Sequence, residues 1–384
     1  MTTSARESVP EVPFAVAHQR FDQKNEMFKR SQWDEKMQSH GMRFYREVKF
    51  REKVGYRQLD YALRNAAWNL EWSFGLGNSR GNSGLYAWEG VNDKIRHYIE
   101  AGDPIKTPPK ENSRIIKTTA RYFGADLVGI CQVHPNWVYS HEYNTITSEH
   151  YPIEFPDGCH NAIVLGIAMD YEKIRTSPTG IAGAEVGRGY SMMAYVANLL
   201  ALFIRGLGYR AIPCGNDTAL SVPLAMAAGL GETGRLGFLI TEKFGPRVRL
   251  CKVFTDLPLS YDTYQPFGVK EFCGICKKCA THCPSRAITD GEMTTEGHNI
   301  SNQSGPLKWY VNAESCFAFW AKNRTDCANC IRVCPFNKPR GKIHDVSRSL
   351  VRRKSSVLNR FLIWVDDIMG YDKPFPPERF WDYE

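Results

Sequence analysis

The sequence predicts an α/β (α+β) protein built from a helical N-terminal covering layer, a domain of alternating strands and helices, and a small cysteine-rich module. Three observations carry this. The first part of the chain is polar yet rich in tryptophan, strand-length apolar runs alternate with helical periodicity from about residue 112, and cysteines crowd the C-terminal third. At 384 residues and 43% hydrophobic content, the chain can bury one large core and a smaller module. Charged residues at 23% and aromatics at 12% exclude a disordered protein. The longest apolar stretch, Ser191 to Ile204, is closed by Arg188 and Arg205 and is too short to span a bilayer.

Residues 1–111 form the covering region, with helices expected over Asp22 to Ser39 and Tyr56 to Trp72. Glycines and asparagines from Gly75 to Gly84 then break regular structure. Trp33, Trp68, Trp72 and Trp88 are wasted on a solvent-exposed layer, so this region is expected to pack on the core or to roof a pocket. Residues 112–264 form the α/β domain. Its expected helices are Ser113 to Phe123, Gly189 to Leu207 and Leu220 to Ala228; its strands are Asp126 to Val133, Ala162 to Ala168, Tyr209 to Pro213, Phe238 to Thr241 and Arg249 to Asp256. After Pro266 the strands stop. The module spans 265–345, and 346–384 is a C-terminal extension.

Cys273, Cys276, Cys279 and Cys283 precede Pro284 with the spacing C-x2-C-x2-C-x3-C-P, and Cys316, Cys327, Cys330 and Cys334 precede Pro335 with a longer first gap. This spacing wraps one [4Fe-4S] cube with three thiolates and sends the fourth cysteine to a neighbouring cube. Cys334 should therefore join Cys273, Cys276 and Cys279, while Cys283 joins Cys316, Cys327 and Cys330. A disulfide framework belongs to short secreted domains, and structural zinc explains neither the third cysteine nor the prolines. Cys131, Cys159, Cys214 and Cys251 are scattered in apolar segments and read as buried hydrophobes.

Clusters only carry electrons, so the α/β domain must say what the electrons do. Three segments stand out there: Val186-Gly-Arg-Gly-Tyr190 opening the long helix, Pro213-Cys-Gly-Asn-Asp217 after a strand, and Lys243 to Arg249 between two strands. Such strand-end and helix-start positions are where α/β sheets place ligands. Glycines 187, 189, 215, 231, 234 and 245 would let backbone approach a large flat ligand. A tyrosine beside an arginine is a proton-donor pair, since the cation stabilises the phenolate and lowers its pKa. Asn216 offers an amide N–H to a leaving anion or polar substrate atom. The structural alternatives are a Tyr190 that caps core packing, an Arg249 on a surface strand, and Asn216 with Asp217 capping the following helix.

The segments Gly124-Ala-Asp-Leu-Val-Gly129, Trp137-Val-Tyr-Ser140, Ile174-Arg-Thr-Ser-Pro178, Gly208 to Thr218, Ser221-Val-Pro223 and Thr241 to Arg247, together with the double cysteine block, resemble the corrinoid-dependent reductive dehalogenases. The resemblance is dense over about residues 112–345 and keeps the order of every motif. It implies a nitroreductase-like domain holding one base-off cobamide, fed by two [4Fe-4S] clusters in a ferredoxin-like module, that replaces a carbon-bound halogen by hydrogen. By motif, Tyr190 is the implied proton donor, Arg249 the cation that favours its phenolate, and Asn216 their companion. Trp320 matches an aromatic near the substrate pocket, and Ser177 and Pro178 a motif lining the corrinoid cleft. The histidine-on motif D-x-H-x-x-G is absent, which fits the base-off binding that the resemblance implies and fits equally a chain without a corrinoid.

Expected partners are a small halogenated organic substrate, a reduced ferredoxin, flavodoxin or quinol-linked electron donor, and a membrane-anchor protein, with no nucleic acid. Aromatics such as Trp88 and Trp320 favour a flat or apolar substrate. Part of the net charge of +8 comes from Arg340, Lys342, Arg348, Arg352, Arg353, Lys354 and Arg360, read as a solvated helix face with docking to an acidic donor or anionic lipid as the alternative. The segment MTTSARESVPEVPF carries neither an apolar h-region nor twin arginines, so a cytoplasmic location is expected, or the outer face of the cytoplasmic membrane if a signal was removed. Two rival readings are an epoxyqueuosine reductase-like enzyme acting on tRNA, which typically has an acid where this chain has Gly189, and a non-catalytic ferredoxin-type electron carrier.

Overall fold

The structure, a computed structural model, describes residues 19–47, 49–75, 84–89, 94, 96–97, 103–339 and 341–382. The N-terminal segment that bears on export, most of the Gly75 to Gly84 break and Arg340 lie outside these residues. A four-stranded sheet in the order β1 (Leu127–Gln132), β4 (Asn161–Ala168), β8 (Val248–Thr255), β5 (Ala211–Cys214) sits at the centre, and all three neighbouring pairs are antiparallel. Two short hairpins flank it: β2 (His141–Tyr143) with β3 (His150–Pro152), and β6 (Glu232–Thr233) with β7 (Leu239–Ile240).

Because strand side chains alternate between faces, each long strand feeds two cores. On one face Ile163, Leu165, Cys251 and Val253 meet Ile116 of α4 (Pro109–Tyr122) and Met193, Ala197 and Leu200 of α6 (Gly180–Gly206). On the other, Ala162, Val164, Cys214 and Phe254 meet Leu224 to Met226 of α7 (Ser221–Ala227). Cys131, Cys159, Cys214 and Cys251 are buried among these apolar groups.

The N-terminal layer consists of α1 (Met27–Trp33), α2 (Glu35–Tyr45) and α3 (Gln58–Ala67), followed by a π turn at Glu71–Gly75. The first expected helix is thus two: Asp34 ends α1, and its carboxylate accepts the Lys36 amide at 3.0 Å to cap α2. A short helix, α5 (Tyr171–Arg175), leads toward α6. The long helix α6 begins nine residues before the expected Gly189, so the Val186 to Tyr190 segment lies inside the helix and does not open it. Glycine's low helix propensity argues for a later start, but packing decides otherwise. Helix α3 crosses α6, and a Cβ at Gly183 would sit 2.7 Å from Thr325 Oγ1 and 2.9 Å from Asp326 Oδ2.

The cysteine module is short helices on loops: α8 (Val269–Ile275), α9 (Lys278–Thr281), α10 (Ala313–Asn323) and α11 (Asn329–Arg332), then α12 (Lys342–Val351) and α13 (Ser356–Ile368). Helix α12 runs across the expected 345/346 boundary. Of the basic run, Arg348 pairs with Asp345 at 2.6 Å, Arg352 with Glu242 at 2.6 Å and Lys354 with Glu271 at 3.1 Å, so these three are paired surface charges.

Lys252, in the middle of β8, has no exposure. Its ammonium donates to the carbonyls of Gly215 (2.5 Å) and Ala219 (2.7 Å) and to Ser221 Oγ (3.1 Å), and so fixes the whole turn after β5. Replacing this charge by an apolar chain leaves two buried carbonyls unpaired. Lys252→Met is expected to cost about 2–4 kcal/mol, read as a lower unfolding midpoint; an unchanged midpoint would contradict the role of this network.

Candidate active site and metal centres

Strand β8, helix α6 and the turn after β5 bring Arg249, Tyr190 and Asn216 together. The Asn216 side-chain amide donates to the Tyr190 hydroxyl oxygen at 2.7 Å, and the Arg249 guanidinium carbon lies 5.2 Å from the centre of the Tyr190 ring. Trp68 stacks on the tyrosine ring at 4.6 Å and 23°, and Trp72 stacks on Trp68 at 5.3 Å. The N-terminal layer therefore roofs this tyrosine. Asn216 does not cap α7, whose cap residue is Leu220. It sits in a turn that includes Thr218 at φ +67°, and Tyr139 O–H donates to its carbonyl at 3.3 Å.

The glycines of these segments are filled by the protein itself and are not an open ligand cradle, which corrects the expectation above. A Cβ at Gly187 would lie 2.2 Å from the Trp68 ring, at Gly189 2.9 Å from Arg249 Cγ, and at Gly215 2.8 Å from the Tyr86 hydroxyl. At Gly231 and Gly245 the obstacles are the carbonyls of Ile240 and Phe336, at 2.2 and 2.3 Å, and at Gly234 the Ile240 side chain at 2.4 Å. Small residues here admit Trp68 and Arg249 to the tyrosine.

The expected lowering of the Tyr190 pKa is also corrected. Burial raises it, Arg249 opposes, Glu71 raises it, and the Asn216 hydrogen bond opposes; the net direction is up. Tyr190 therefore holds its proton at neutral pH, as a neutral phenol whose oxygen accepts from Asn216 and whose O–H remains to be donated.

Cys273, Cys276, Cys279 and Cys334 surround one cavity, closed by Leu236, Phe272 and Phe336. Cys283, Cys316, Cys327 and Cys330 form the other group: Cys283 lies close enough to raise the thiol pKa of the other three, and Cys316, Cys327 and Cys279 also raise that of Cys330. Burial is the largest cause in both groups, pushing Cys276 and Cys327 each to about 11. Arg235, 1% exposed, donates to the Cys273 carbonyl at 2.9 and 3.1 Å and to Thr289 and Gly291, which fixes the first run. Nothing in the sequence around Arg235 announces this.

Ser177 and Pro178 stand at the seam between the α/β domain and the module. Ser177 is buried; its hydroxyl accepts the Ala328 amide at 2.8 Å and donates to Asn329 Oδ1 at 2.9 Å. The Pro178 carbonyl accepts from Asn323 and from Tyr56, both at 2.8 Å. Trp320, on α10, packs against Phe28 and Phe44 of the N-terminal layer at 5.7 and 6.0 Å, whereas Trp88 packs on Phe155 at 6.1 Å in the other core. The Trp320 indole N–H and Asp217 Oδ1 are buried without a hydrogen-bond partner among the described residues. A corrin ring carries peripheral amides that supply the complement of both, so these orphans fit such a group.

Glu71 is a site residue that sequence reasoning missed. It is buried and accepts from Tyr86 O–H at 3.0 Å; burial, opposed by that hydrogen bond and aided by Asp217, raises its pKa from 4.5 to about 8. The folded protein thus keeps a proton that the unfolded chain releases between these values. The stability tied to that proton is complete below the lower value and is lost as pH rises through the higher one. Glu71→Gln, neutral at every pH, should gain on wild type by a few kcal/mol, roughly, between pH 5 and 9. Thermal unfolding of both proteins across that range tests this, and a pH-independent difference sinks it.

Residues 272–337 match the model of the 4Fe-4S double cluster binding domain. Over 361 residues the chain is 37% identical to a tetrachloroethene reductive dehalogenase of Sulfurospirillum multivorans, covering 86% of this chain and 72% of that protein. It is 36% identical over 394 residues to one from Desulfitobacterium hafniense, covering 85% and 70%. A solved reductive dehalogenase structure described in terms of B12-dependent dehalogenation superposes with a TM-score of 0.72 at 25% identity, covering 94% of this chain and 48% of that one. The chain spans about half the length of the solved reductive dehalogenase structures it matches. Identity of this extent with proteins of one family, joined to the double-cluster module and the shared fold, makes the chain a member of the reductive dehalogenases, a family of oxidoreductases.

Proposed function

We propose that this protein replaces a carbon-bound halogen of a small organic molecule by hydrogen, taking up two electrons and one proton and releasing halide. The observation that carries the reading is the 2.7 Å hydrogen bond from Asn216 to Tyr190, under the Arg249 guanidinium. Its cofactors are two [4Fe-4S] clusters and a corrinoid. Cys273, Cys276, Cys279 and Cys334 would hold one cluster and Cys316, Cys327, Cys330 and Cys283 the other; the Trp320 indole N–H and the Asp217 carboxylate would bind amides of the corrinoid. When bound, the corrinoid supplies low-valent cobalt able to deliver electrons for carbon–halogen cleavage.

The chain's own residues handle the proton. Tyr190 gives its O–H proton to the carbon losing halogen, and the oxygen left behind is stabilised by the Asn216 amide and the Arg249 cation. Trp68 covers the ring and keeps water from it. Chlorinated alkenes are supported as the first substrates to assay by the names of the relatives above. The tRNA reading is disfavoured at residue 189, where any side chain would meet Arg249 Cγ at 2.9 Å and displace it.

Anaerobically purified Tyr190→Phe should keep its iron and cobalt yet release halide at least about 100-fold more slowly with a chemical reductant. Equal halide release by the variant removes Tyr190 from the reaction. Cys334→Ala and Cys283→Ala should each damage a different cluster in paramagnetic resonance; loss of the same signal in both would refute crossed ligation.

A further inference from the structure

Away from Tyr190, Asp22, His141 and His150 bring a carboxylate and two imidazoles together, with ligand atoms all within 4.8 Å of one another. Hairpin register explains the two histidines. His141 stands opposite Pro152 and Tyr143 opposite His150, so the histidines are diagonal neighbours on one face, with ring centres 4.7 Å apart. Asp22 arrives from a distant part of the chain, immediately before α1. Its Oδ2 lies 3.0 Å from His150 Nε2, and its Oδ1 accepts the Lys24 amide at 2.9 Å, which orients the carboxylate. His141 Nδ1 lies 3.1 Å from Ser140 Oγ.

We propose that these three side chains bind a divalent first-row transition ion, a site distinct from the cysteine clusters, which clasps the N-terminal layer to the β2–β3 hairpin. Two imidazoles and one carboxylate form a borderline donor set suited to Zn²⁺, with water in the fourth position. Tetrahedral coordination at about 2.0–2.1 Å would draw the ligand atoms to about 3.3 Å apart, a movement that side-chain rotation supplies. With Ser140 accepting from Nδ1–H, the Nε2 of His141 carries the lone pair left to ligate, and the Ser140 contact is the outer-shell bond that ligating histidines ordinarily have. An Asp22–His150 ion pair alone would engage two of the groups; an ion engages all three. The segments it would link already touch: Ser140 N–H donates to the Phe21 carbonyl at 2.8 Å, and Arg20 Nε to the Val138 carbonyl at 3.1 Å. The ion would fix the entry to α1, whose Phe28 packs on Trp320.

The test uses the loaded enzyme, dialysed anaerobically against buffered Zn²⁺, with zinc and iron counted by mass spectrometry. Wild type should hold about one zinc beside its roughly eight iron, and His141→Ala/His150→Ala should lose the zinc and keep the iron. Asp22→Asn, which retains an acceptor for the Lys24 amide, should bind zinc at least about tenfold more weakly. Zinc should also slow proteolysis at residues 19–26 in wild type and not in the double variant. Equal zinc in wild type and double variant, no zinc in either, or undiminished binding by Asp22→Asn overturns the proposal.

Discussion

The ammonium of Lys252 is shut away from water, and all its acceptors belong to the turn between Gly215 and Ser221. A buried cation with three well-placed oxygens is costly to disturb, so the turn has one conformation. Strand periodicity extends the effect to the other face of the sheet. Three positions earlier on the same strand, Arg249 points the opposite way, toward Tyr190. Strand β8 is paired on both edges, by β4 and β5, and thus holds the arginine on one side and the asparagine's turn on the other.

The tyrosine between them depends on what the chain leaves out. Helix α6 has glycine at 183, 187 and 189, and each vacancy is filled by a different neighbour: the Thr325–Asp326 segment with Arg64, then Trp68, then Arg249. The Arg64–Asp326 ion pair, 3.0 Å long and largely buried, ties α3 to the cysteine module over the first of these gaps. The glycines that weaken an isolated helix are what let Trp68 and Arg249 converge on one phenol and the Thr325–Asp326 segment pack close to the helix. Two effects then compete for its proton, and burial wins over the arginine.

Much of this was legible from residues alone. Apolar runs marked the four strands of the sheet to within two residues at each end, since period and strand length agree there. Cysteine spacing pointed to two groups of four, and the tryptophans to a roof. The start of α6 is not legible locally, because glycine's propensity is a local rule and the contacts at Gly183 and Gly187 are not. Lys252 carried a signal that went unused: a lone lysine inside the apolar run Leu250 to Phe254 must find buried acceptors. Arg235, Glu71 and the Asp22–His141–His150 cluster depend on partners far along the chain, which no spacing rule reaches.

The Ser177 hydroxyl accepts from the Ala328 amide and donates to Asn329, between two cysteines of the module, and the carbonyl of the next residue is held by Asn323. Nearby, the Gly245 turn presses on the Phe336 carbonyl, and Arg247 donates to Lys338. A boundary so heavily cross-bonded is not one at which evolution can swap parts freely. A foreign two-cluster unit grafted after β8 would arrive without the matching backbone donors and acceptors. The cysteine module and the α/β domain are therefore constrained to diverge together, as a single heritable unit.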